Sequence, residues 1–312
     1  LCRLDGDPAP TRDRAHFVRM TGDAFPGLGA LFAQSSGGRL PLTGSRTTDW
    51  VVSSRPARDY YPTAKAFEIG SAFGGSTFAR DTAMAGDCMR QARAADPTLD
   101  VRQFDALNLQ VTTSLDASYA NMGAVPLPAP GGGTVLLRFA LEAGWAQTSV
   151  GTHAHELGHT LGLDHTLGAR RDCTTFMTPG GLCPYDSRWT LMSAATGAST
   201  DGIGFGAPFI AFERNRLGWF DAQQLRTVAD RMTDTTVLRP LDGGPPGVRM
   251  IRLPLDADRV LTLEYRRRAP AGSPSFDAAL PATGVLLHET TPTRATVVDA
   301  NANNDVNDPP SV

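Results

Sequence analysis

Lysine is almost missing from this chain: of 29 basic residues, all but Lys65 are arginine, a bias of coding rather than of function. Neither sign of charge dominates, with 29 Lys+Arg against 32 Asp+Glu, a net charge of -3 and a pI near 6.1. That balance excludes a dedicated binder of nucleic acid or of anionic membrane, which would carry a basic surface. No apolar run reaches bilayer-spanning length, so no membrane span is expected, and 41% hydrophobic residues excludes a disordered chain. Four cysteines are too few for a disulfide scaffold, although an even number suits two bridges. There is no G-x-S-x-G elbow and no P-loop, and Gly202-x-Gly204-x-Gly206 follows no apolar strand and reads as a loop. No secretory leader opens the chain. Its first residues, Leu1-Cys2-Arg3-Leu4, read as the end of a strand in a processed or trimmed chain, so the missing leader excludes no compartment.

What is present is 312 residues without internal repeat, enough for one large domain or two ordinary ones. Apolar residues over 25–32 predict a short helix, and alternation over 40–53 predicts one or two strands. Met84, Cys88 and Ala92 recur every fourth residue and predict a helix over 81–95, stopped by Pro97. Residues 108–113 and 134–140 read as strands, with Gly131-Gly132-Gly133 in the loop between them. A helix over 152–162, an irregular stretch over 166–208 and a helix over 209–217 follow. From about 235 the texture changes to short apolar strands at 236–238, 248–253, 260–265 and 284–288, which predict a small β domain. The expected domains are therefore 1–222 and 234–312, the second cut short at Asp308-Pro309-Pro310. Residues 299–308 are rich in Asn and Asp but lack the mid-loop glycine of an EF-hand. They read as a solvated loop, with a structural Ca2+ site as the less supported alternative.

Histidine is scarce too, at six residues, yet His153, His155, His159 and His165 fall within one short segment. That segment, His155-Glu156-Leu157-Gly158-His159-Thr160-Leu161-Gly162-Leu163-Asp164-His165, is H-E-x-x-H extended by x-x-G-x-x-H, the pattern of zinc proteases. Helical residues four apart differ by about 40° in azimuth and about 6 Å in rise, so His155 and His159 can face one ion. Gly162 can adopt a left-handed conformation that ends the helix and returns His165 as third ligand. Three imidazoles leave a fourth tetrahedral position for water, the mark of a catalytic Zn2+ rather than a closed structural one. Glu156 is then placed as general base and acid toward that water and the leaving amine. Five fixed residues at this spacing arise by chance in on the order of one chain in 10⁵. His153 points about 160° away from His155 and reads as packing rather than ligand. Asp164 reads equally as a group orienting a ligand or as surface, and His16 and His288 as ordinary surface or partly buried histidines.

On these residues the chain resembles the metzincin clan of zinc metallopeptidases. The resemblance implies a methionine turn beneath the metal, for which Met192 in Trp189-Thr190-Leu191-Met192-Ser193 is preferred to Met177. Within the clan the chain is most similar to immune inhibitor A-like and gametolysin-like secreted peptidases, through Phe212-Glu213-Arg214-Asn215-Arg216-Leu217-Gly218-Trp219, Leu263-Glu264-Tyr265-Arg266, Phe276-Asp277 and Gly284-Val285-Leu286-Leu287-His288. The implied fold is α+β: a catalytic domain with a twisted mixed sheet and a zinc-binding helix, then a small β-sandwich-like domain. Substrate would lie along a sheet edge, which the resemblance assigns to a strand within 134–146. Two positions depart from the pattern. The third ligand is His165, as in gametolysin, where immune inhibitor A-like enzymes carry Asp. Some metzincins also place a tyrosine two residues after the turn methionine, where this chain has Ala194; Tyr185 is the substitute the segment offers.

Cys173 and Cys183 lie ten apart beyond the histidine helix, and a bridge there leaves Cys2 with Cys88. Four cysteines allow three connectivities, and four buried thiols is the alternative. Arg266-Arg267-Arg268 reads as a solvated strand end. The expected protein is a secreted, extracellular zinc endopeptidase acting on protein or peptide, with no nucleic-acid partner and an oligomeric state the sequence leaves open. The rival is a zinc-bearing glycan- or cell-wall-binding protein with vestigial hydrolysis, against which the retained Glu156 argues.

Overall fold

Strand β1 (Cys2–Asp5) lies parallel to β2 (Val51–Pro56) with Cys2 opposite Val51, so the opening residues are strand, as their pattern predicts. The computed structural model describes residues 1–61, 75–168, 183–229, 232–233 and 235–298. The chain is mixed α+β, with several small sheets and few helices. It divides into two compact units, Leu1–Thr21 with Gly44–Gly162 and Gly22–Thr43 with Leu163–Val312. The change of texture at 222–234 falls inside the second.

In the first unit β3 (Ala106–Gln110), β4 (Tyr119–Pro128) and β5 (Thr134–Glu142) form a sheet in the order β3-β5-β4. β3 is parallel to β5 and β4 antiparallel to it, and a bridge from Cys2 to Val111 links β1 to the end of β3. The sheet edge therefore differs from the expected one: β5 is paired on both sides, and β3 and β4 are the outer strands. Gly123, Pro126 and Pro128 argue locally against a strand at β4, which the expected strands did not include. Prolines are tolerated on an edge, where one side of the backbone needs no partner. Gly123 sits at φ 85° where the register of β4 shifts. Residues 40–53 yield only β2, since Pro41 and Gly44 interrupt the rest.

Helices α1 (Arg14–Thr21) and α3 (Ala57–Tyr60) flank this unit, and α4 (Gly75–Ala95) packs against β2 and β4. Its buried face is Met84, Ala85, Cys88, Met89 and Ala92, the stripe that the four-residue spacing predicts. Gly86 lets helix and strand approach closely, because a Cβ there would lie 2.7 Å from the Pro128 Cβ. Cys2 and Cys88 are disulfide-bonded with their Cα atoms 5.8 Å apart, tying β1 to α4 inside the core. Cys183 is also disulfide-bonded, and Cys173 lies outside the described residues.

The second unit contains α2 (Leu28–Ser36), which starts three residues later than the expected 25–32, after Pro26 and the extended Gly27. The loop of alternating glycines is a hairpin, β6 (Ala198–Thr200) to β7 (Ile203–Phe205), turning on Asp201 and Gly202 at positive φ. After α6 (Ala211–Arg216) come β8 (Leu225–Thr227), β9 (Met250–Pro254), β10 (Val260–Arg266), β11 (Gly284–Thr290) and β12 (Ala295–Val297). They form one sheet in the order β12-β11-β10-β9-β8 rather than a sandwich, and residues 236–238 join no strand.

The reason lies on the sheet's buried face, where polar groups sit among Met250, Leu286, Ala295 and Val297: Thr262, Glu264 and Arg266 on β10, His288 and Thr290 on β11. A second apolar sheet could not satisfy these groups; backbone can. Arg266 donates to the carbonyls of Trp189 (3.1 Å) and Pro208 (3.2 Å) and pairs with Glu264 (3.2 Å), while Glu264 accepts the Ala211 N–H. Arg266 is thus a buried anchor, not a solvated strand end. His16 and His288 are likewise buried, beyond what their isolated positions suggested.

Because the Cys2–Cys88 bridge closes a span of 86 residues, its loss from the unfolded-state constraint should be large. Cys88→Ser is expected to lower stability by about 4 kcal/mol in urea denaturation, and a loss under about 1 kcal/mol would contradict a structural role.

Candidate metal centre

Helix α5 (Val150–Thr160) carries the histidine motif, two residues earlier at each end than expected. Ser149 caps it by accepting the Thr152 N–H at 3.0 Å. At the other end Arg138 of β5 donates to the Thr160 carbonyl at 3.2 Å, a cation at the negative helix terminus. The helix packs on β4 and β5, and all of it but Leu157 is buried. Gly162 then turns the chain at φ 94°, as the spacing predicts; open space surrounds it, so backbone conformation alone selects glycine.

This turn brings ring nitrogens of His155, His159 and His165 within 4.8 Å of one another. His155 Nε2 and His159 Nε2 are 3.0 Å apart, with the two rings edge to face. Imidazole nitrogens so opposed need a shared proton or a cation between them. An ion held tetrahedrally at about 2.0–2.1 Å from nitrogen separates its ligands by about 3.3 Å, close to the spacing found here. The three histidines can therefore hold a single metal ion.

His153 is not among them. Its Nε2–H donates to Gln110 Oε1 at 3.1 Å, so Nδ1 is bare and accepts from the Asn108 amide at 3.1 Å. Burial lowers its pKa to about 4, so it is a neutral tie between α5 and β3. Gln110 is held by the carbonyls of Val111 and Ala143, at 2.8 and 2.7 Å. Glu142 lies 3.8 Å from His153 Nδ1, and burial pushes its carboxyl up to about 8, with Ser118 and Asn108 pulling the other way. Glu156 is buried beside them. Burial first, and the Glu142 charge second, raise its carboxyl well above the ordinary range. A cation on the neighbouring histidines would oppose both effects.

His165 is half-buried and braced by its neighbours in sequence. Asp164 accepts the His165 N–H at 2.8 Å with one oxygen and Arg294 at 2.7 and 3.1 Å with the other. Asp164 thus ties the backbone of His165 to Arg294. Thr166 N–H donates to the Met192 carbonyl at 3.0 Å, and Met192 is fully buried. The exposed Tyr185 places its hydroxyl 3.2 Å from His165 Nε2, its ring 5.0 Å from the imidazole. Met177 and residues 299–308 lie outside the described residues.

Set beside models of known protein families, curated proteins and solved structures, the chain matches none of them. Sequence reasoning missed Asn108, Gln110, Glu142 and Arg294. They meet the motif across separations from 11 residues, for Glu142 and His153, to 130, for Asp164 and Arg294, and no local pattern marks them.

The Glu142 carboxyl keeps its proton in the folded protein to about pH 8 but in the unfolded chain only to about 4.5. Between those values the folded state binds the extra proton, so stability falls as pH rises. In metal-free denaturation, Glu142→Gln should gain stability relative to wild type from pH 5 to pH 8. A difference independent of pH would contradict the assignment.

Proposed function

We propose that this chain is a zinc-dependent endopeptidase of metzincin type, similar to the immune inhibitor A-like and gametolysin-like enzymes and exported from the cell. The observation that carries the reading is the convergence of His155, His159 and His165 with Glu156 one residue along the same helix. Zinc fits the donor set: neutral imidazoles, three in number, with room for one further ligand. When bound it supplies a Lewis acid that polarises a carbonyl and acidifies a water.

The remaining work falls to the protein. Glu156 has no need of a special pKa beyond what burial gives, because a poorly solvated carboxylate is a stronger base than one in water. It takes the proton of the attacking water and returns it to the leaving amine. Neutral His153, fixed by Asn108 and Gln110, holds the turn of helix before Glu156 against β3. The outer strand β4, on which α5 packs, offers backbone along which an extended peptide can add as a further strand. Met192, whose carbonyl accepts the Thr166 N–H beside His165, serves as the turn methionine. The Cys2–Cys88 bridge suits an oxidising compartment, and no helix among the described residues is long and apolar enough to cross a membrane.

Wild type and Glu156→Ala should be assayed on casein-type substrates, with zinc content measured in parallel. Wild type is expected to cleave, to lose activity to a chelator and to regain it with zinc. Glu156→Ala is expected to keep its zinc and lose about 10²–10⁴-fold in rate. Zinc retained by a wild-type protein that cleaves none of several substrates would favour the glycan- or cell-wall-binding reading instead.

A further inference from the structure

Most buried charges of the second unit are accounted for in pairs: Arg214 with Asp242 at 2.7 Å, and Arg266 with Glu264 at 3.2 Å. Glu213 is different. It is buried on α6 with no cation facing it among the hydrogen bonds it makes, and its partners are two hydroxyls and one amide. One carboxylate oxygen accepts from the Thr166 hydroxyl at 2.6 Å; the other accepts from the Thr190 hydroxyl at 2.8 Å and the Ile210 N–H at 2.9 Å. The last bond caps α6. The first two leave the helix for distant segments.

Those segments are the ones that present His165. Thr166 is its immediate neighbour. The Thr190 hydroxyl accepts the Met192 N–H at 3.1 Å, so its own hydrogen is committed to Glu213. The Thr166 N–H in turn donates to the Met192 carbonyl, closing a ring of hydrogen bonds through Glu213, Thr190, Met192 and Thr166. Every member of the ring is buried, where each broken bond leaves a polar group without water to replace it. Downstream, Leu167 bonds both ways with β12, through its N–H to Ala295 and its carbonyl to Val297.

From this ring we infer that Glu213 is a positioning residue for the third metal ligand: through Thr166 and the Thr190–Met192 turn it fixes the backbone from which His165 reaches the ion. The inference rests on the metal-binding part of the function proposed above. A helix cap alone would need only the Ile210 bond. The Thr166 arm contributes nothing to α6 and is the part that tests the inference.

Zinc affinity of the full chain, measured by competition with a chromophoric chelator, separates these roles. Thr166→Val keeps the shape and removes only the arm to Glu213; it is expected to weaken zinc binding about 10–100-fold. Glu213→Gln is expected to do the same, since an amide offers one acceptor where two hydroxyls and an N–H compete. The double variant should lose no more than the larger single loss, as members of one network do. Thr290→Val is the control: it removes a buried hydroxyl that donates to the Val260 carbonyl in the sheet, and should leave affinity within about twofold of wild type. If Glu213→Gln does not fold, Thr166→Val and its control decide alone. Wild-type affinity in Thr166→Val overturns the inference and leaves the functional reading standing, as does an equal loss in Thr290→Val. A wild-type chain that takes up no zinc overturns both.

Discussion

Two imidazole nitrogens 3.0 Å apart, His155 Nε2 and His159 Nε2, are the constraint around which this chain is arranged. Nitrogens in that position repel unless something positive lies between them. Holding them there requires a helix whose rotation and depth are fixed, and α5 is almost wholly buried. Its polar residues must therefore find partners inside the protein. His153 finds Asn108 and Gln110, Arg138 closes the C-terminus, and Ser149 the N-terminus. Each bond that satisfies a buried group also removes a way for the helix to turn, so polar satisfaction and ligand placement are the same requirement.

The third histidine is held differently. His165 lies beyond the left-handed turn at Gly162, on a segment without regular structure until Leu167 meets β12. Its geometry comes from side-chain bonds on either side of it: Asp164 with Arg294 before, Thr166 with Glu213 after. The same unit uses buried polar groups elsewhere in place of apolar packing. Glu264 and Arg266 bond to the backbone around Pro208 and Ala211, which explains why a single sheet suffices where a sandwich was expected.

Elements with strong local periodicity were legible in the sequence. The four-residue spacing of Met84, Cys88 and Ala92 located α4, and the motif located α5 and the turn at Gly162. The bridge from Cys2 to Cys88 is one of the three connectivities that four cysteines allow, the one left when Cys173 pairs with Cys183. What stayed hidden was set by pairing between distant segments. β4 contains two prolines and a glycine that argue locally against a strand, and only its place at the sheet edge permits them. Arg266 looked exposed because arginine seldom lies buried without partners, and its partners are carbonyls of residues some sixty to eighty positions away. In the site itself the three histidines and Glu156 were readable because the spacing of the motif fixes where they fall. The groups that orient them were not, because nothing local constrains where Glu142, Arg294 or Glu213 falls in the chain.

If His155, His159 and His165 bind one zinc ion with a position left open, the surroundings of the ion will show it. X-ray absorption at the zinc edge, on protein loaded with one equivalent, reads the coordination sphere directly. Three histidine nitrogens at about 2.0–2.1 Å and one further light ligand are expected. A sphere containing sulfur, or one of oxygen atoms without imidazole, would contradict it.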